Sequence, residues 1–115
     1  MIIKTFTIEK PWGKFQQFTH NENSTVKIIF VNSGNSLSLQ THTNRSEYWY
    51  IISGHPSVTI GEIVKNANPG EEFNINKNEV HRLEAQNDNV QILEISYGNF
   101  DEEDIIRLDD KYDRT

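Results

Sequence analysis

The sequence predicts a single all-β domain, built as a sandwich or barrel and spanning residues 1–115. Three observations support this. The length of 115 residues is typical of one domain. Short runs in which apolar or β-branched residues alternate with polar ones recur along the chain, separated by turn-forming residues. No long helical periodicity competes with this pattern, which is typical of all-β sandwiches and barrels.

Each element follows from this alternation. The predicted strands are Ile2 to Ile8, Thr25 to Val31, Ser36 to His42, Glu47 to Ser53, Ser57 to Ile60, Glu71 to Ile75, and Val90 to Tyr97. Residues that favour turns separate them, as at Lys10 to Gly13 and Asn66 to Gly70. The segment Asp101 to Leu108 opens with acidic residues and carries Ile and Leu side chains that can dock on the barrel. We therefore expect a short C-terminal helix there.

Composition excludes several classes of function. The formal net charge of −6 argues against a nucleic-acid partner, because such partners are held by clustered Lys and Arg. The chain has no cysteine, so a metal ion would have to be held by His, carboxylate or amide groups, and disulfides are impossible. It has no run of eighteen apolar residues and no apolar stretch typical of a signal peptide. We expect a cytoplasmic protein with no membrane partner.

Ligand-capable side chains are concentrated in one stretch and in one later position. Gln40 and His42 are two residues apart on a predicted strand and therefore point to the same face. Glu47 is five residues further on, and it reaches that face if Thr43 to Arg45 turn or bulge. His81 follows a turn-rich approach and can add a fourth ligand from an adjacent strand. These residues predict a site for a divalent first-row metal with positions open for water or substrate.

The spacing of these residues resembles the first motif of the cupin superfamily. That motif reads Gly, five residues, His-x-His, three or four residues, Glu, six residues, Gly. Gly34, Gln40, His42, Glu47 and Gly54 fit every interval. The one departure is Gln40, which stands where the motif has its first His.

The second cupin motif is matched in register but only partly in residue type. It reads Gly, five residues, Pro-x-Gly, two residues, His, three residues, Asn. The corresponding positions here are Gly70, Asn76, Asn78, His81 and Ala85. Only Gly70 and His81 keep the expected type. The two motifs together imply the cupin double-stranded β-helix, a jelly-roll barrel.

A narrower resemblance is carried by five segments spread over nearly the whole chain. They are Lys10-Pro11-Trp12-Gly13, Ser38-Leu39-Gln40-x-His42, Arg45-Ser46-Glu47-x-Trp49, Ser53-Gly54, and Asp104-Ile105-Ile106-Arg107-Leu108-x-Asp110-x-Tyr112. These segments resemble the type II phosphomannose isomerase cupin. In that family the module is usually the C-terminal part of a bifunctional protein with a mannose-1-phosphate guanylyltransferase domain, for which the 115 residues here leave no room.

The resemblance implies a metal-dependent isomerase that interconverts mannose-6-phosphate and fructose-6-phosphate, or a related aldose and ketose. It also implies one divalent ion, zinc in the first place, with manganese, cobalt, nickel or iron as alternatives. Phosphomannose isomerases bind zinc through a Gln, His, Glu, His set that matches Gln40, His42, Glu47 and His81. The ion would act as a Lewis acid on the sugar oxygens.

The remaining roles are assigned less directly. Glu94 is a candidate catalytic base, although strand parity leaves open whether it faces the barrel interior. The resemblance favours Arg45 and Arg107 as ligands of the substrate phosphate. Arg45 could instead be a surface residue, and Arg107 could instead pair only with Asp104 or Asp110.

Two other functional classes stay open at the level of sequence. One is a non-catalytic, metal-containing cupin that binds a sugar or has a regulatory role, since fold and ligands do not determine a reaction. It is motivated by departures from the usual isomerase pattern at Thr43, Asn44, Tyr48 and Asn76. The other is a different cupin enzyme, such as an oxygenase or a nucleotide-sugar epimerase.

The sequence also predicts a homodimer. Cupins resembling this one commonly pair through edge strands. An exposed N-terminal strand at Ile2 to Ile8 would present unpaired backbone groups to a second copy.

Overall fold

A computed structural model describes residues 5–112 and 114 of the chain. Twelve β-strands form within those residues. They are β1 (Phe6–Lys10), β2 (Gly13–Gln17), β3 (Ser24–Val31), β4 (Asn35–Ser36), β5 (Leu39–Thr41), β6 (Arg45–Ser53), β7 (Ser57–Ile60), β8 (Ile63–Asn66), β9 (Glu72–Ile75), β10 (His81–Ala85), β11 (Val90–Gly98) and β12 (Ile106–Asp109).

The strands form two facing sheets and one separate hairpin. One sheet has the order β12-β5-β10-β7-β8, with β4 paired to β10 as well, and the other has the order β3-β11-β6-β9. Strands β1 and β2 pair only with each other. All pairings are antiparallel. This arrangement confirms the predicted all-β jelly-roll barrel.

An apolar core lies between the two sheets. It combines Trp49 and Ile51 of β6 and Ile92 of β11 with Val58 and Leu83 from the opposite sheet, all of them at most 1% exposed. Strands β6 and β11 are nine-residue runs rich in aromatic and β-branched residues, which suit the centre of a sheet. Because both are central strands, six of the nine residues in each are buried, and these include residues on both faces.

The inner face of β11 changes character along its length. Val90 and Ile92 point into the apolar core, whereas Glu94 and Ser96 continue the same face as buried polar residues. Ser96 lies opposite Glu47 of β6 in the strand register. One end of the barrel is therefore apolar, and the other holds a polar interior.

The short C-terminal helix predicted at Asp101 to Leu108 is wrong. Its second half is β12, which pairs antiparallel with β5, and no helix is present within residues 5–112. The side chains alternate as in a strand, because Ile106 and Leu108 are exposed while Arg107 between them is half-buried. The acidic residues that suggested a helix start form a turn, in which the side chain of Asp101 accepts a main-chain hydrogen bond.

The N-terminal strand is observed in part. The predicted strand Ile2 to Ile8 overlaps β1, and residues 1–4 lie outside the described part of the chain. Residues of β1 and β2 are nearly all exposed, including Phe6, Ile8 and Phe15. Within residues 5–112 and 114, no helix has the length and apolar character needed to cross a membrane.

Candidate metal centre

Three of the four predicted ligands converge at the polar end of the barrel. His42 follows β5, Glu47 lies in β6, and His81 begins β10. One potential ligand atom from each lies within 4.8 Å of the others. All three side chains are buried. This group could hold a metal ion.

Glu47 reaches the inner face because the chain bends after His42, as the odd sequence spacing required. The bend at Thr43 and Asn44 is held by Asp104, whose two carboxylate oxygens accept hydrogen bonds from their main-chain N–H groups at 2.8 and 2.9 Å. These two hydrogen bonds lower the pKa of Asp104. A residue near β12 therefore sets the geometry of the first motif.

Main-chain carbonyl groups orient both imidazole rings. Nδ1 of His42 donates to the oxygen of Asp104 at 2.7 Å, and Nδ1 of His81 donates to the oxygen of Glu79 at 2.9 Å. A carbonyl oxygen can only accept, so Nδ1 carries the hydrogen in each ring. In a neutral imidazole the Nε2 lone pair is then free to bind a metal ion.

The Nε2 atoms of the two rings lie near different oxygens of the Glu47 carboxylate. Nε2 of His42 is 3.8 Å from Oε2, and Nε2 of His81 is 3.3 Å from Oε1. Burial lowers the pKa of His42, which favours the neutral ring. Burial alone would raise the pKa of Glu47, but the positive charges around it, that of Arg45 among them, outweigh the effect of burial, so the pKa lies below its usual value.

Two orphaned atoms show that a cation fits this group. Glu47 Oε1 and His81 Nε2 are buried and have no hydrogen-bond partner. A deprotonated carboxylate and an imidazole with its hydrogen on Nδ1 would present two lone pairs to the same small space. A metal ion satisfies both, and such N/O donor sets suit divalent first-row metals.

Gln40 lines a small polar cavity that His42 and Glu47 also line. In the strand register it is opposite His81 on β10 and opposite Arg107 on β12. Its side-chain oxygen accepts a hydrogen bond from Ser38 at 3.3 Å. Gln40 is thus near the other three residues, and its role as a ligand stays a prediction.

The cavity that opens onto the metal centre has a volume of about 160 Å³. At ~30 Å³ per water in the liquid, this is the space of roughly five water molecules. Its wall includes six residues that the sequence predicted for the site, namely Gln40, His42, Arg45, Glu47, Glu94 and Arg107. The barrel therefore gathers six of the seven predicted site residues around one small polar space, and the seventh, His81, has a potential ligand atom within 4.8 Å of those of His42 and Glu47.

Glu94 faces this interior, which settles the question of strand parity. It is 5% exposed, and Trp49 donates its indole N–H to Oε2 of Glu94 at 3.2 Å. Burial raises the pKa of Glu94 to about 7, and the neighbouring Glu47 carboxylate adds to the rise. Near neutral pH this carboxyl group can therefore either donate or accept a hydrogen bond.

Arg45 is buried beside the metal centre and is not a surface residue. Its Nε donates to Glu47 Oε2 at 3.2 Å and its Nη2 to His42 Nε2 at 3.3 Å. Its Nη1 donates to the main-chain oxygen of Asp101 at 2.9 Å, and the guanidinium lies 4.6 Å from the ring centroid of Phe100. All three of its nitrogens are therefore engaged.

Arg107 differs, because it lines the cavity without such partners. Its buried Nε has no hydrogen-bond partner, and within residues 5–112 and 114 it forms no ion pair. The alternative pairing with Asp104 or Asp110 is not formed. Asp110 instead binds Arg114 at 2.7 Å.

Four further polar residues of the cavity wall were not predicted as part of the site. They are Lys27, Ser38, Glu102 and Arg114. Lys27 lies opposite Glu94 in the register of β3 and β11, and its ammonium group binds Glu102 at 2.9 Å. The alternation of β3 indicates which of its residues share a face, but the pairing that brings Lys27 to Glu94 depends on a contact 67 positions away in the chain.

Comparisons with known proteins show that the chain is similar to part of several guanylyltransferases and to cupins. It is 36% identical over 105 residues to mannose-1-phosphate guanylyltransferase 2 of Escherichia coli O157:H7, covering 90% of this chain and 22% of that protein. It is 33% identical over 109 residues to mannose-1-phosphate guanylyltransferase ManC of Salmonella typhimurium, covering 93% and 23%. The chain thus spans about a quarter of the length of these relatives. A cupin protein from Bacteroides fragilis superposes with a TM-score of 0.60 at 19% identity, over 65% of each chain, which confirms the cupin fold.

The predicted reaction is wrong. The sequence indicated an isomerase acting on mannose-6-phosphate, whereas the curated relatives are named as mannose-1-phosphate guanylyltransferases, which are nucleotidyltransferases. None of the alternatives considered from sequence included guanylyl transfer. The physical reason is that the motif residues specify a barrel and a ligand set, and neither determines a reaction.

The family itself is shown by a match that covers most of the chain. Residues 3–110 match the family described as mannose-6-phosphate isomerase C-terminal. The matched range contains His42, Glu47 and His81 as well as Arg45 and Arg107. The chain therefore belongs to the mannose-6-phosphate isomerase C-terminal family and adopts the cupin fold.

Proposed function

We propose that this chain is a metal-dependent cupin module that binds a sugar phosphate and serves guanylyl transfer to mannose-1-phosphate, the activity for which its relatives are named. One observation carries the proposal. The same small cavity is lined by His42 and Glu47, which form a metal-binding group with His81, and by Arg107, whose guanidinium has no anionic partner within residues 5–112 and 114. A phosphorylated sugar has oxygen groups suited to both.

The metal half of the site would hold one divalent ion. His42, Glu47 and His81 are its protein ligands in this proposal, with Gln40 as a weaker fourth through its amide oxygen. Zinc suits a small N/O donor set of this kind, and manganese, cobalt, nickel or iron are alternatives. The bound ion would supply Lewis acidity towards sugar oxygens.

The anion half of the site centres on Arg107. A guanidinium binds phosphate through two parallel charge-assisted hydrogen bonds, which makes an unpaired Arg in a cavity a phosphate ligand. Lys27 contributes less, because Glu102 neutralises it. Glu94, with a pKa of about 7, would exchange hydrogen bonds with the sugar hydroxyl groups.

The size of the cavity restricts what binds in it. Its volume of about 160 Å³ is below the roughly 300–1,000 Å³ of pockets that enclose drug-sized ligands. The cavity is therefore too small to enclose a guanine nucleotide, and a hexose phosphate bound in it would extend out of its open side. In this proposal the cavity binds only the sugar phosphate.

Calorimetric titration of the zinc-loaded protein tests the proposal. We expect mannose-1-phosphate to bind more tightly than mannose. Arg107→Met should weaken mannose-1-phosphate binding by roughly ten- to a hundred-fold, the effect of losing one charge-assisted contact, and leave mannose unaffected. Lys65→Met is the matched control, because it also removes one positive charge but at an exposed ion pair with Glu71. Equal binding of mannose and mannose-1-phosphate, or an Arg107→Met protein that binds like the wild type, would overturn the proposal.

A further inference from the structure

Arg45 makes contact with the same ring nitrogen that a metal ion needs. Its Nη2 lies 3.3 Å from Nε2 of His42, and its Nε lies 3.2 Å from Oε2 of Glu47. These are two of the three residues of the metal-binding group. A cationic side chain of this protein thus stands where a cation would bind.

The contact with His42 excludes a metal ion at that atom. Because Nδ1 of His42 donates its hydrogen to Asp104, Nε2 has a single lone pair. That lone pair can accept a hydrogen bond from Arg45 or bind a metal ion, but it cannot do both. The contact with Glu47 is different, since the carboxylate has a second oxygen, Oε1, that is buried and without a partner.

We propose that Arg45 is an internal cation that competes with the metal ion for His42, and that metal loading releases its Nη2 towards the cavity. There it joins Arg107 as a second donor to the phosphate of the ligand. The first half of this proposal concerns metal binding alone. The second half rests on the proposed function.

The contacts of Arg45 allow its guanidinium to move a short distance while it stays anchored beside Glu47. Glu47 is 2% exposed, and Arg45 compensates its buried charge when no metal ion does so. Asp101 and Phe100 hold the guanidinium from the side of the C-terminal segment. The hydrogen bond from Nη2 to His42 has to break, and because the guanidinium is rigid and planar the whole group must pivot about its contacts through Nε and Nη1. These two contacts keep the released group inside the cavity.

Zinc affinity of Arg45→Met tests the competition. We expect zinc to bind this variant more tightly than the wild type by about 5- to 150-fold, the usual range for coupling between two sites, measured by competition with a chromophoric chelator. Arg107→Met is the matched control, because it removes a positive charge from the same cavity without a contact to His42 or Glu47, and its change should be clearly smaller. If Arg45 only positions Glu47, Arg45→Met binds zinc more weakly, and the proposal is overturned.

Thermal unfolding provides a second readout that does not depend on high affinity. Without metal, Arg45→Met should have a lower Tm than the wild type, because Glu47 loses its compensating charge. Zinc should then raise the Tm of the variant by more than it raises that of the wild type. An equal or smaller zinc-induced rise would contradict competition. Should Arg45→Met fail to fold, Arg45→Lys allows the same comparison, because an ammonium group can reach Glu47 without also holding His42.

Phosphate binding tests the release of Arg45 separately. We expect zinc to increase the affinity for inorganic phosphate more in the wild type than in Arg45→Met, whose residual increase measures direct attraction by the metal. Equal increases would overturn the release. If neither protein binds phosphate, the release and the proposed function both fall, while tighter zinc binding by Arg45→Met would still establish the competition.

Discussion

His42 and Asp104 are joined by a hydrogen bond from the imidazole Nδ1 to the main-chain oxygen, with a length of 2.7 Å. The side chain of Asp104 also accepts the main-chain N–H groups of Thr43 and Asn44. One residue from the segment before β12 therefore fixes both the ring of a candidate ligand and the bend that brings Glu47 to it. The metal-binding group depends on the C-terminal segment as much as on the motif that contains it.

Asp104→Ala should consequently weaken metal binding although Asp104 is not a ligand. The main-chain acceptor remains in the variant, but the bend at Thr43 and Asn44 is no longer held. We expect a loss of about 10- to 100-fold in zinc affinity, the effect typical of residues that orient metal ligands. Asp104→Asn, which keeps one acceptor oxygen, should lose less. Asp109→Ala removes a nearby exposed ion pair with Arg82 and should bind zinc like the wild type; the same loss in both Ala variants would argue against this role.

The metal centre itself predicts about one divalent ion per chain in purified protein. His42→Ala and His81→Ala should each reduce zinc affinity at least tenfold, and the double variant should bind none at stoichiometric concentrations. Elemental analysis and calorimetry measure both quantities. His55→Ala is the matched control, because His55 is an exposed histidine paired with Asp88. Stoichiometric zinc binding by the double variant would show that His42 and His81 do not form the metal site.

The other two proposed ligands, Glu47 and Gln40, should differ in how much each contributes to zinc affinity. Glu47→Gln keeps the side-chain volume but removes the only anionic ligand, so zinc affinity should fall by tenfold or more. Gln40→Ala should have a smaller effect, because an amide oxygen is a weak ligand for transition metals. A larger loss in Gln40→Ala than in Glu47→Gln, measured by the same chelator competition, would contradict this order.

Glu94 should make stability depend on pH. Its pKa is raised from 4.5 to about 7 in the folded state, so between these values the folded protein holds a proton that the unfolded chain has lost. The contribution of Glu94 to the free energy of unfolding therefore falls as pH rises through this range. In Glu94→Gln this loss is absent, and stability relative to the wild type should rise by on the order of 2 kcal/mol from pH 5 to pH 8. Urea unfolding in the presence of a chelator measures the difference, and parallel curves for the two proteins would refute the prediction.

Two glycines with nearly the same backbone conformation should respond differently to substitution. Gly54 has φ = +87° and Gly70 has φ = +90°. A Cβ at Gly54 would overlap the main-chain oxygen of Asn89, whereas a Cβ at Gly70 meets no described atom within 4 Å. Gly70→Ala should cost ~1–2 kcal/mol of strain, and Gly54→Ala a further ~1–3 kcal/mol for the overlap. Equal losses in urea unfolding would show that the overlap is relieved without cost.

We also expect a homodimer, as the sequence predicts. The β1–β2 hairpin exposes Phe6, Ile8 and Phe15, and the outer face of the edge strand β3 exposes Val26, Ile28 and Phe30. Exposed apolar groups in such number favour association. Light scattering with size-exclusion chromatography should give twice the chain mass at micromolar concentration. Phe30→Ser should shift the mass towards the monomer, while Ile63→Ser, equally exposed on β8, should not; a monomeric wild type would contradict the prediction.

Much of the fold was predictable because strand alternation is local. The β-branched and aromatic runs that became β3, β6 and β11 are visible without knowledge of their partners. The range of strand β10, with the sequence His-Arg-Leu-Glu-Ala, was not predicted, although His81 was expected on a strand adjacent to the other ligands. The segment lacks β-branched residues and gains its strand structure from pairing with β7 and β5. The segment that became β12 was misjudged for the same reason, since its acidic start is typical of a helix and its pairing with β5 is not visible in the local sequence.

The candidate site was predictable where residue type and spacing were enough. His42, Glu47 and His81 could be predicted from their spacing. Asn78 shows why the turn of the second motif can form although one of its glycines is replaced. It stands where the motif has Gly and adopts φ = +65°, a conformation that Asn tolerates better than most residues. Whether the Glu94 side chain faces the barrel interior, and whether Arg45 contacts His42, could not be predicted, because both depend on packing between distant parts of the chain.

The change from apolar to polar residues along the inner face of β11 has a consequence for how this barrel can diversify. Val90 and Ile92 contribute to folding through the apolar core, whereas Glu94 lines the cavity and Ser96 donates a hydrogen bond to Glu47 at the edge of that cavity. Substitutions at the cavity end can thus alter which small molecule is recognised without opening a void in the core. A scaffold of this kind tolerates redesign of its specificity, and natural variants with new ligands would be expected to differ at that end of the strand first.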